Sequence, residues 1–278
     1  MKILVTGSSG FLGKKLVKIL LRSNHKVFGI DIKKNDKFEN KNFKYLKLNL
    51  NNLGNLKKNI KKIKKIDLII HTAAKQPYKA EFDIENYFKI NFSGTKNLLE
   101  VCKINKIQKL IQCSSFSIYG NLKSPISEND VPNPRNTYAK LKLKSENYIK
   151  RNYKNYTILR LFNVYGPNQS KSYFIPDIRE KIINGKIINI DKSVRDFIHV
   201  SEVSRVIKFI INKNINETLN VGSGKDYSLI KIIKFLSKKL NRKPILKVKN
   251  KKTKLVADIS LLKSYGFKTK TNEKYINF

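Results

Sequence analysis

The feature that most constrains this chain is a glycine turn close to its start. Gly7-Ser8-Ser9-Gly10-Phe11-Leu12-Gly13 follows a short apolar block, Ile3–Thr6, and opens a segment from Phe11 to Leu21 with helical spacing (Leu12, Leu16, Ile19, Leu20). Gly7 permits a tight turn, Gly10 lets the backbone approach a pyrophosphate, and Gly13 lets a helix pack closely on a sheet. The start of such a helix offers free N–H groups and a partial positive charge to phosphates. Three glycines alone are a weak signal. Lying between a strand and a helix, with an acid ending the second strand (Lys26–Asp31), they are a strong one. Asp31 can accept hydrogen bonds from adenosine ribose hydroxyls and would repel a 2′-phosphate, which favours NAD(H). Lys33 and Lys34 follow at once and could hold that phosphate, so NADP(H) is the alternative.

The 278 residues suffice for one large α/β domain with an appendage. After the glycine turn, strand-like blocks (Phe43–Leu48, Asp67–Thr72, Leu110–Ser115, Thr157–Phe162) alternate with helical ones (Leu56–Ile63, Ile84–Val101, Tyr138–Tyr153). This alternation predicts an α/β fold of the Rossmann type, a doubly wound parallel sheet that binds ligands at the carboxyl ends of its strands. After the turn signal Tyr165-Gly166-Pro167-Asn168 the rhythm loosens. Helices are expected at Phe174–Ile183, Ser201–Ile211 and Ser228–Leu240, with short strands at Ile187–Ile190 and Ile245–Val248. The expected division is a dinucleotide-binding domain, 1–166, and a smaller C-terminal α/β substrate-binding lobe, 167–278, interleaved with the first.

Charge is the second constraint. Lysine and arginine number 59 against 20 acids, a formal net charge of +39. The excess is mostly lysine spread from Lys2 to Lys274, dense at Lys57–Lys65 and Lys249–Lys254, without an arginine-rich or aromatic-interleaved tract. A solvated lysine surface is the first reading and a functional polyanion surface the second; nucleic acid is not an expected partner. Either way a positive field attracts an anionic substrate. No apolar run approaches the roughly 18 residues of a membrane helix, and the chain starts directly on a strand-like block, so a cytoplasmic location without a membrane partner is expected. Cys102 and Cys113 read as buried free thiols. With three histidines, none paired at ligand spacing, no metal site is expected and His71 is not read as a ligand.

The remaining chemistry lies in a hydroxyl, a phenol and an amine. Ser115 closes a strand in Cys113-Ser114-Ser115-Phe116-Ser117-Ile118-Tyr119-Gly120. Tyr138 and Lys142 stand four apart at the start of a later helix and share one face. An ammonium near the phenol favours the phenolate, and such a tyrosine can exchange a proton with a sugar hydroxyl. A serine at the adjacent strand end can bond the same oxygen as hydride leaves or arrives. The small residues of His71-Thr72-Ala73-Ala74 would let a cofactor lie against the sheet edge.

On these residues the chain resembles the extended short-chain dehydrogenases, the nucleotide-sugar epimerase/dehydratase family. The likeness continues through Arg160-Leu161-Phe162-Asn163-Val164-Tyr165-Gly166-Pro167, Arg195-Asp196-Phe197-Ile198-His199-Val200 and Asn220-Val221-Gly222-Ser223-Gly224. It implies Tyr138 as acid/base, Lys142 on the nicotinamide ribose, and Ser115 on the reacting sugar oxygen. It implies a cofactor site of Gly7, Ser9, Gly10, Phe11, Leu12, Gly13, Asp31, Asn49, Leu50, Ala73, Ala74, Asn91, Tyr138 and Lys142. Ser117, Asn163 and Arg195 join Ser115 on the substrate side, with Asn163 near the phosphates and Arg195 clamping the diphosphate. The helices near 84–101 and 138–153 imply a homodimer.

Departures narrow the reaction. Dehydratases of the family carry an Asp-Glu pair directly after the active-site hydroxyl residue, where Phe116 and Ser117 stand. The fucose-synthase branch has a cysteine two places after the serine, the position of Ser117. The glycine-rich turn before the Arg195 block is reduced to Asp191-Lys192-Ser193, and Asn49 stands where an acid is common. The expectation is an NAD-dependent enzyme acting on a nucleoside-diphosphate sugar, of the UDP-glucose/galactose 4-epimerase type. An NAD(P)H-dependent reductase of a nucleotide-linked 4-keto-6-deoxysugar is the alternative, and a non-catalytic Rossmann protein binding RNA or another polyanion is the alternative from a different class.

Overall fold

The computed structural model describes residues 1–33, 39–75, 84–213 and 215–270. In chain order the first elements are β1 (Lys2–Thr6), α1 (Phe11–Arg22), β2 (Lys26–Asp31), β3 (Phe43–Lys47), α2 (Leu53–Lys61), β4 (Leu68–His71), α3 (Ile84–Phe88), α4 (Gly94–Ile104), β5 (Lys109–Ser115), α5 (Thr137–Asn152) and β6 (Tyr156–Leu161). Then come β7 (Asn163–Tyr165), α6 (Phe174–Ile183), β8 (Ile187–Asp191), β9 (Val194–Arg195), β10 (Phe197–His199), α7 (Val200–Ile211), β11 (Thr218–Val221), β12 (Tyr227–Ser228), α8 (Leu229–Leu240), β13 (Ile245–Lys249), β14 (Lys254–Leu255) and α9 (Ser260–Ser264).

The chain forms two compact units, each drawn from several stretches. The first comprises Met1–Gly120, Pro132–Arg160 and Ser204–Leu219; the second comprises Asn121–Val131, Leu161–Val203 and Asn220–Phe278. Nearly all of a seven-stranded parallel sheet, in the order β11-β6-β5-β4-β1-β2-β3, belongs to the first. The order reverses at β1, which pairs in parallel with β2 on one side and β4 on the other. Such a reversal opens a crevice at the strand ends, where this class of sheet binds ligands.

The central strands are largely apolar, as in a sheet covered by helices on both faces. Leu68–His71 is wholly buried. On one face Leu4, Phe28, Ile30 and Ile69 pack with Leu56 and Ile60 of α2 and with Leu98, Leu99 and Cys102 of α4. Helix α1 buries Gly13, Leu16, Val17 and Leu20; of the stripe its spacing predicted, Leu16 and Leu20 are buried while Leu12 and Ile19 are half-buried. The second unit has its own core, in which Ile175, Ile178 and Ile182 of α6 meet Ile188 and Phe197 and, from α8, Ile233 and Leu236. Its strands pair as β7 with β10, β8 with β13, and β9 with both β12 and β14.

One expected helix is built differently. The segment read as continuous over Ile84–Val101 is α3, then a π turn at Lys89–Ser93, then α4 running on to Ile104. The π turn holds one more residue than an α turn, so its backbone bonding steps five residues, as from Gly94 N–H to Lys89 O. Asn91 O accepts from the hydroxyls of both Thr95 and Ser145.

Gly13 is where helix meets turn most tightly. A Cβ there would lie 2.0 Å from the Gly7 carbonyl oxygen. Gly13→Ala is therefore expected to cost about 3 kcal/mol or more by overpacking, read as a lower midpoint in urea unfolding; an unchanged midpoint would refute this close packing.

Candidate active site

The glycine turn makes a cradle at the carboxyl end of β1. Gly7 has φ +70°, and a Cβ on it would sit 2.7 Å from the Ala73 nitrogen, so the turn presses on the end of β4. Gly10 precedes α1 with extended backbone and no side-chain cap. The first N–H groups of α1, at Phe11, Leu12 and Gly13, lie before the point where i→i−4 bonding can begin, as an anion site requires. A Cβ on Gly10 would lie 3.1 Å from Gly7 O and crowd the cradle. Beside it, the Asp31 carboxylate accepts from Ser9 N–H and Lys33 N–H, both at 3.0 Å. Lys34, the other residue weighed for a 2′-phosphate, lies outside the described residues. An uncapped helix start, a cradle without side chains and a fixed carboxylate suit a dinucleotide's pyrophosphate and adenosine ribose.

The neighbouring strand ends are held by a buried polar chain. His71 Nδ1 is 2.6 Å from Thr6 Oγ1 and its Nε2 is 3.1 Å from Thr95 Oγ1. Thr95 donates its own proton to Asn91 O, so the His71 proton sits on Nε2. Burial, with a smaller push from the Lys142 charge, lowers the His71 pKa to about 3. The Asn91 side chain accepts from Lys75 N and donates to Lys75 O, both at 3.0 Å, and so fixes the segment that carries Ala73 and Ala74. Leu50 is buried and its carbonyl accepts from Asn97, while exposed Asn49 turns its side chain onto Asn51 N–H. No group of three or more His, Cys, Asp or Glu suited to a metal occurs among the described residues.

Ser115, Tyr138 and Lys142 belong to β5 and α5 of the same unit. Helix α5 is capped by Asn136, whose side chain accepts from Ala139 N–H. Tyr138 and Lys142 are both buried. The Lys142 ammonium donates to Cys113 O at 2.7 Å, two residues before Ser115. Burial lowers its pKa to about 8, against the opposing pull of Cys113 and Glu146. Ser115 Oγ accepts from both Ser117 N–H (3.2 Å) and Ser117 Oγ–H (2.9 Å). With both acceptor positions filled, the Ser115 hydroxyl is left to donate.

Several residues that sequence reasoning did not single out hold this strand and helix together. Glu146, one turn beyond Lys142, accepts from Ser114 Oγ and from Arg160, whose Nη2 lies 2.9 Å away. Arg160 Nη1 donates to Tyr119 Oη at 2.8 Å. Burial opposes the Arg160 charge, but Glu146 and Tyr119 outweigh it and raise the pKa above the ordinary arginine value. The available signal was the four-residue step from Lys142 to Glu146, which put a second charge on the inner face of α5.

In the second unit, Asn163 Nδ2 donates to Asp196 O at 2.7 Å. Arg195 Nη1 donates to Val194 O and Thr253 O, at 2.8 and 3.1 Å. Its partial burial lowers the pKa, partly offset by Asp191. Buried Asp196 accepts from Ser223 N and Oγ, Gly224 N and Ala257 N, tying the Arg195-Asp196 segment to the Gly222-Ser223-Gly224 turn. Gly222 has no room for a side chain there, since a Cβ would meet Asp196 Oδ2 at 2.5 Å.

Residues 3–222 match the model of the NAD dependent epimerase/dehydratase family, and the chain belongs to that family. It is 30% identical to an uncharacterised UDP-glucose epimerase of Bacillus subtilis (strain 168), with 95% of this chain and 91% of that one covered. A UDP-glucose 4-epimerase from Thermotoga maritima, solved with UDP-glucose, is similar with a TM-score of 0.88 at 26% identity, covering 99% of this chain and 96% of that one. The UDP-glucuronic acid 4-epimerase of Bacillus cereus, solved with NAD, gives a TM-score of 0.85 at 28% identity over 98% and 94% of the two chains. Among the described residues no helix is long and apolar enough to cross a membrane.

The neutral His71 has a measurable consequence. Its folded pKa lies below the unfolded value, so between pH 6.5 and about 3 the unfolded chain takes up a proton that the folded one does not. Stability is expected to fall across that window as pH drops, by up to about 5 kcal/mol. Urea unfolding at a series of pH values measures this, and His71→Gln should flatten the slope by one proton. The same slope in both proteins would contradict the assignment.

Proposed function

We propose that this chain is an NAD-dependent nucleotide-sugar 4-epimerase acting on a UDP-hexose of the glucose/galactose type. The observation that carries the reading is the pairing of the β5 end with the inner face of α5. A buried lysine on the Cys113 carbonyl and a buried tyrosine one turn before it share a unit with the glycine cradle and Asp31. Family membership and the activities of the related proteins support it. The fixed Asp31 carboxylate supports NAD over NADP.

When bound, NAD supplies a site that accepts hydride from a sugar carbon and gives it back. Gly7, Gly10 and the start of α1 would hold its pyrophosphate, Asp31 its adenosine ribose, and Lys142 its nicotinamide ribose. Ser9, Asn49, Leu50, Ala73 and Ala74 would line the adenosine and sheet-edge side. Tyr138 Oη would take the proton from the sugar 4-hydroxyl as that carbon is oxidised to a ketone. Ser115, able only to donate, bonds the ketone oxygen. Once the sugar ring has turned over, Tyr138 would give the proton back to the new 4-hydroxyl; because NAD would both accept and return the hydride, no cofactor would be consumed. Asn163 and Arg195 would hold the diphosphate; a guanidinium suits phosphate oxygens through paired planar bonds. Phe116 and Ser117 leave no acid beside Ser115 for dehydration.

The first test is UDP-glucose given to the purified protein with NAD: the expected product is UDP-galactose with no net NADH. Consumption of NAD(P)H on a 4-keto sugar instead would replace the epimerase by a reductase. Tyr138→Phe should lower turnover by roughly 10²–10⁴-fold with NAD affinity nearly unchanged, and near-normal turnover would remove Tyr138 from its role. Lys142 adds a pH limit. Its ammonium is present below about pH 8 and lost above it. NAD affinity of the free protein should therefore decline as pH rises past 8, while Lys142→Met should bind weakly at every pH. A flat wild-type profile to pH 10 would count against a ribose contact by this ammonium.

A further inference from the structure

The opposite end of the same sheet carries a basic cleft. At the amino ends of the strands, Lys2 of β1 stands in register with Lys26 of β2, and Phe28 of β2 with Lys44 of β3. Side chains alternate along a strand, so these residues face the same side, together with Leu46, the register partner of Ile30. Just beyond α2, Lys62-Ile63-Lys64 closes over that side. The result is a cavity of about 440 Å³ with five lysines on its wall and no acid. Lys2 Nζ donates to Lys64 O at 2.6 Å, which joins the strand row to the loop. Phe28, Leu46 and Ile63 form an apolar floor.

Three features limit what such a cleft can hold. The carboxyl end of α2 carries a partial negative charge that accounts for Lys62, but it does not account for Lys2 in register with Lys26 and Lys44 in register with Phe28 on the next strand. Gathered ammoniums repel one another and call for a ligand with several negative charges. The volume falls in the range of small-molecule sites, roughly 300–1,000 Å³, well above the share of one inorganic anion. The apolar floor suits a flat ring, and lysine ammoniums suit phosphate oxygens as point charges.

We propose that this cleft binds a nucleoside polyphosphate, its phosphates among Lys26, Lys44 and Lys62 and its base over Phe28, Leu46 and Ile63. The site is separate from the glycine cradle, which lies at the carboxyl ends of the same strands. The test uses the full chain saturated with NAD and UDP, titrated calorimetrically with ATP, AMP, tripolyphosphate and a short single-stranded RNA. One ATP per chain is expected, bound more tightly than AMP or tripolyphosphate and weakened by salt. Lys26→Glu with Lys44→Glu should lower that affinity at least about tenfold, with NAD binding and turnover unchanged. No ATP binding to the saturated protein, or binding that the double variant leaves intact, would overturn the proposal. Tripolyphosphate binding as tightly as ATP would show a cleft that reads charge alone, and RNA binding more tightly than ATP would make it part of an extended basic surface; either result also overturns it.

Discussion

The contact between Gly13 and the Gly7 carbonyl is the constraint from which the cofactor side of the molecule follows. With 2.0 Å between that oxygen and any Cβ, the helix can seat only if the side chain is a hydrogen. Once seated, α1 points its uncapped start at the end of β1, and Ser9 N–H comes within reach of Asp31. Gly7 in turn lies against Ala73, so the ends of the adjacent strands β1 and β4 share one support. Backbone packed this closely cannot drift without clashing, and a phosphate site made of backbone N–H groups needs that rigidity.

The side of the molecule built by β5 and α5 depends on buried polar groups satisfied by one another. Thr6, His71, Thr95, Asn91 and Ser145 run as a chain of hydrogen bonds from the end of β1 to α5. Glu146, Arg160, Ser114 and Tyr119 form a second set against β5. Burying such groups is costly unless every member is bonded. Each bond therefore specifies one arrangement of strand and helix, where an apolar contact would tolerate several. The π turn belongs to this logic, since the Asn91 carbonyl within it serves two hydroxyls.

Reading the chain alone reached the parts that repeat a local rule. The glycine turn, the acid of Asp31 and the Tyr138–Lys142 step depend on neighbours within a few residues, and most long helices and strands lie within a few residues of where their periodicity put them. Bonds between distant segments were not legible. Nothing near Glu146 announces Arg160, and nothing near Asp196 announces Ser223 or Ala257. The π turn was missed because one extra residue barely disturbs a hydrophobic pattern. Strands β9, β12 and β14 have two residues each, too few for an alternation to be seen. The five lysines of the cleft are scattered over 63 positions from Lys2 to Lys64 and read as surface charge until the register of β1, β2 and β3 gathers them.

The pair of bonds from Ser117 to Ser115 gives that hydroxyl a direction. A free serine gives and takes hydrogen bonds equally and so greets an alcohol and a ketone alike. Here both lone pairs are occupied, and the one remaining proton finds a better match in an oxygen that has nothing of its own to give. An alcohol facing Ser115 must turn its hydrogen elsewhere, whereas a carbonyl oxygen fits as it stands. A single neighbouring residue thus gives the Ser115 hydroxyl a preference for an oxygen that can only accept.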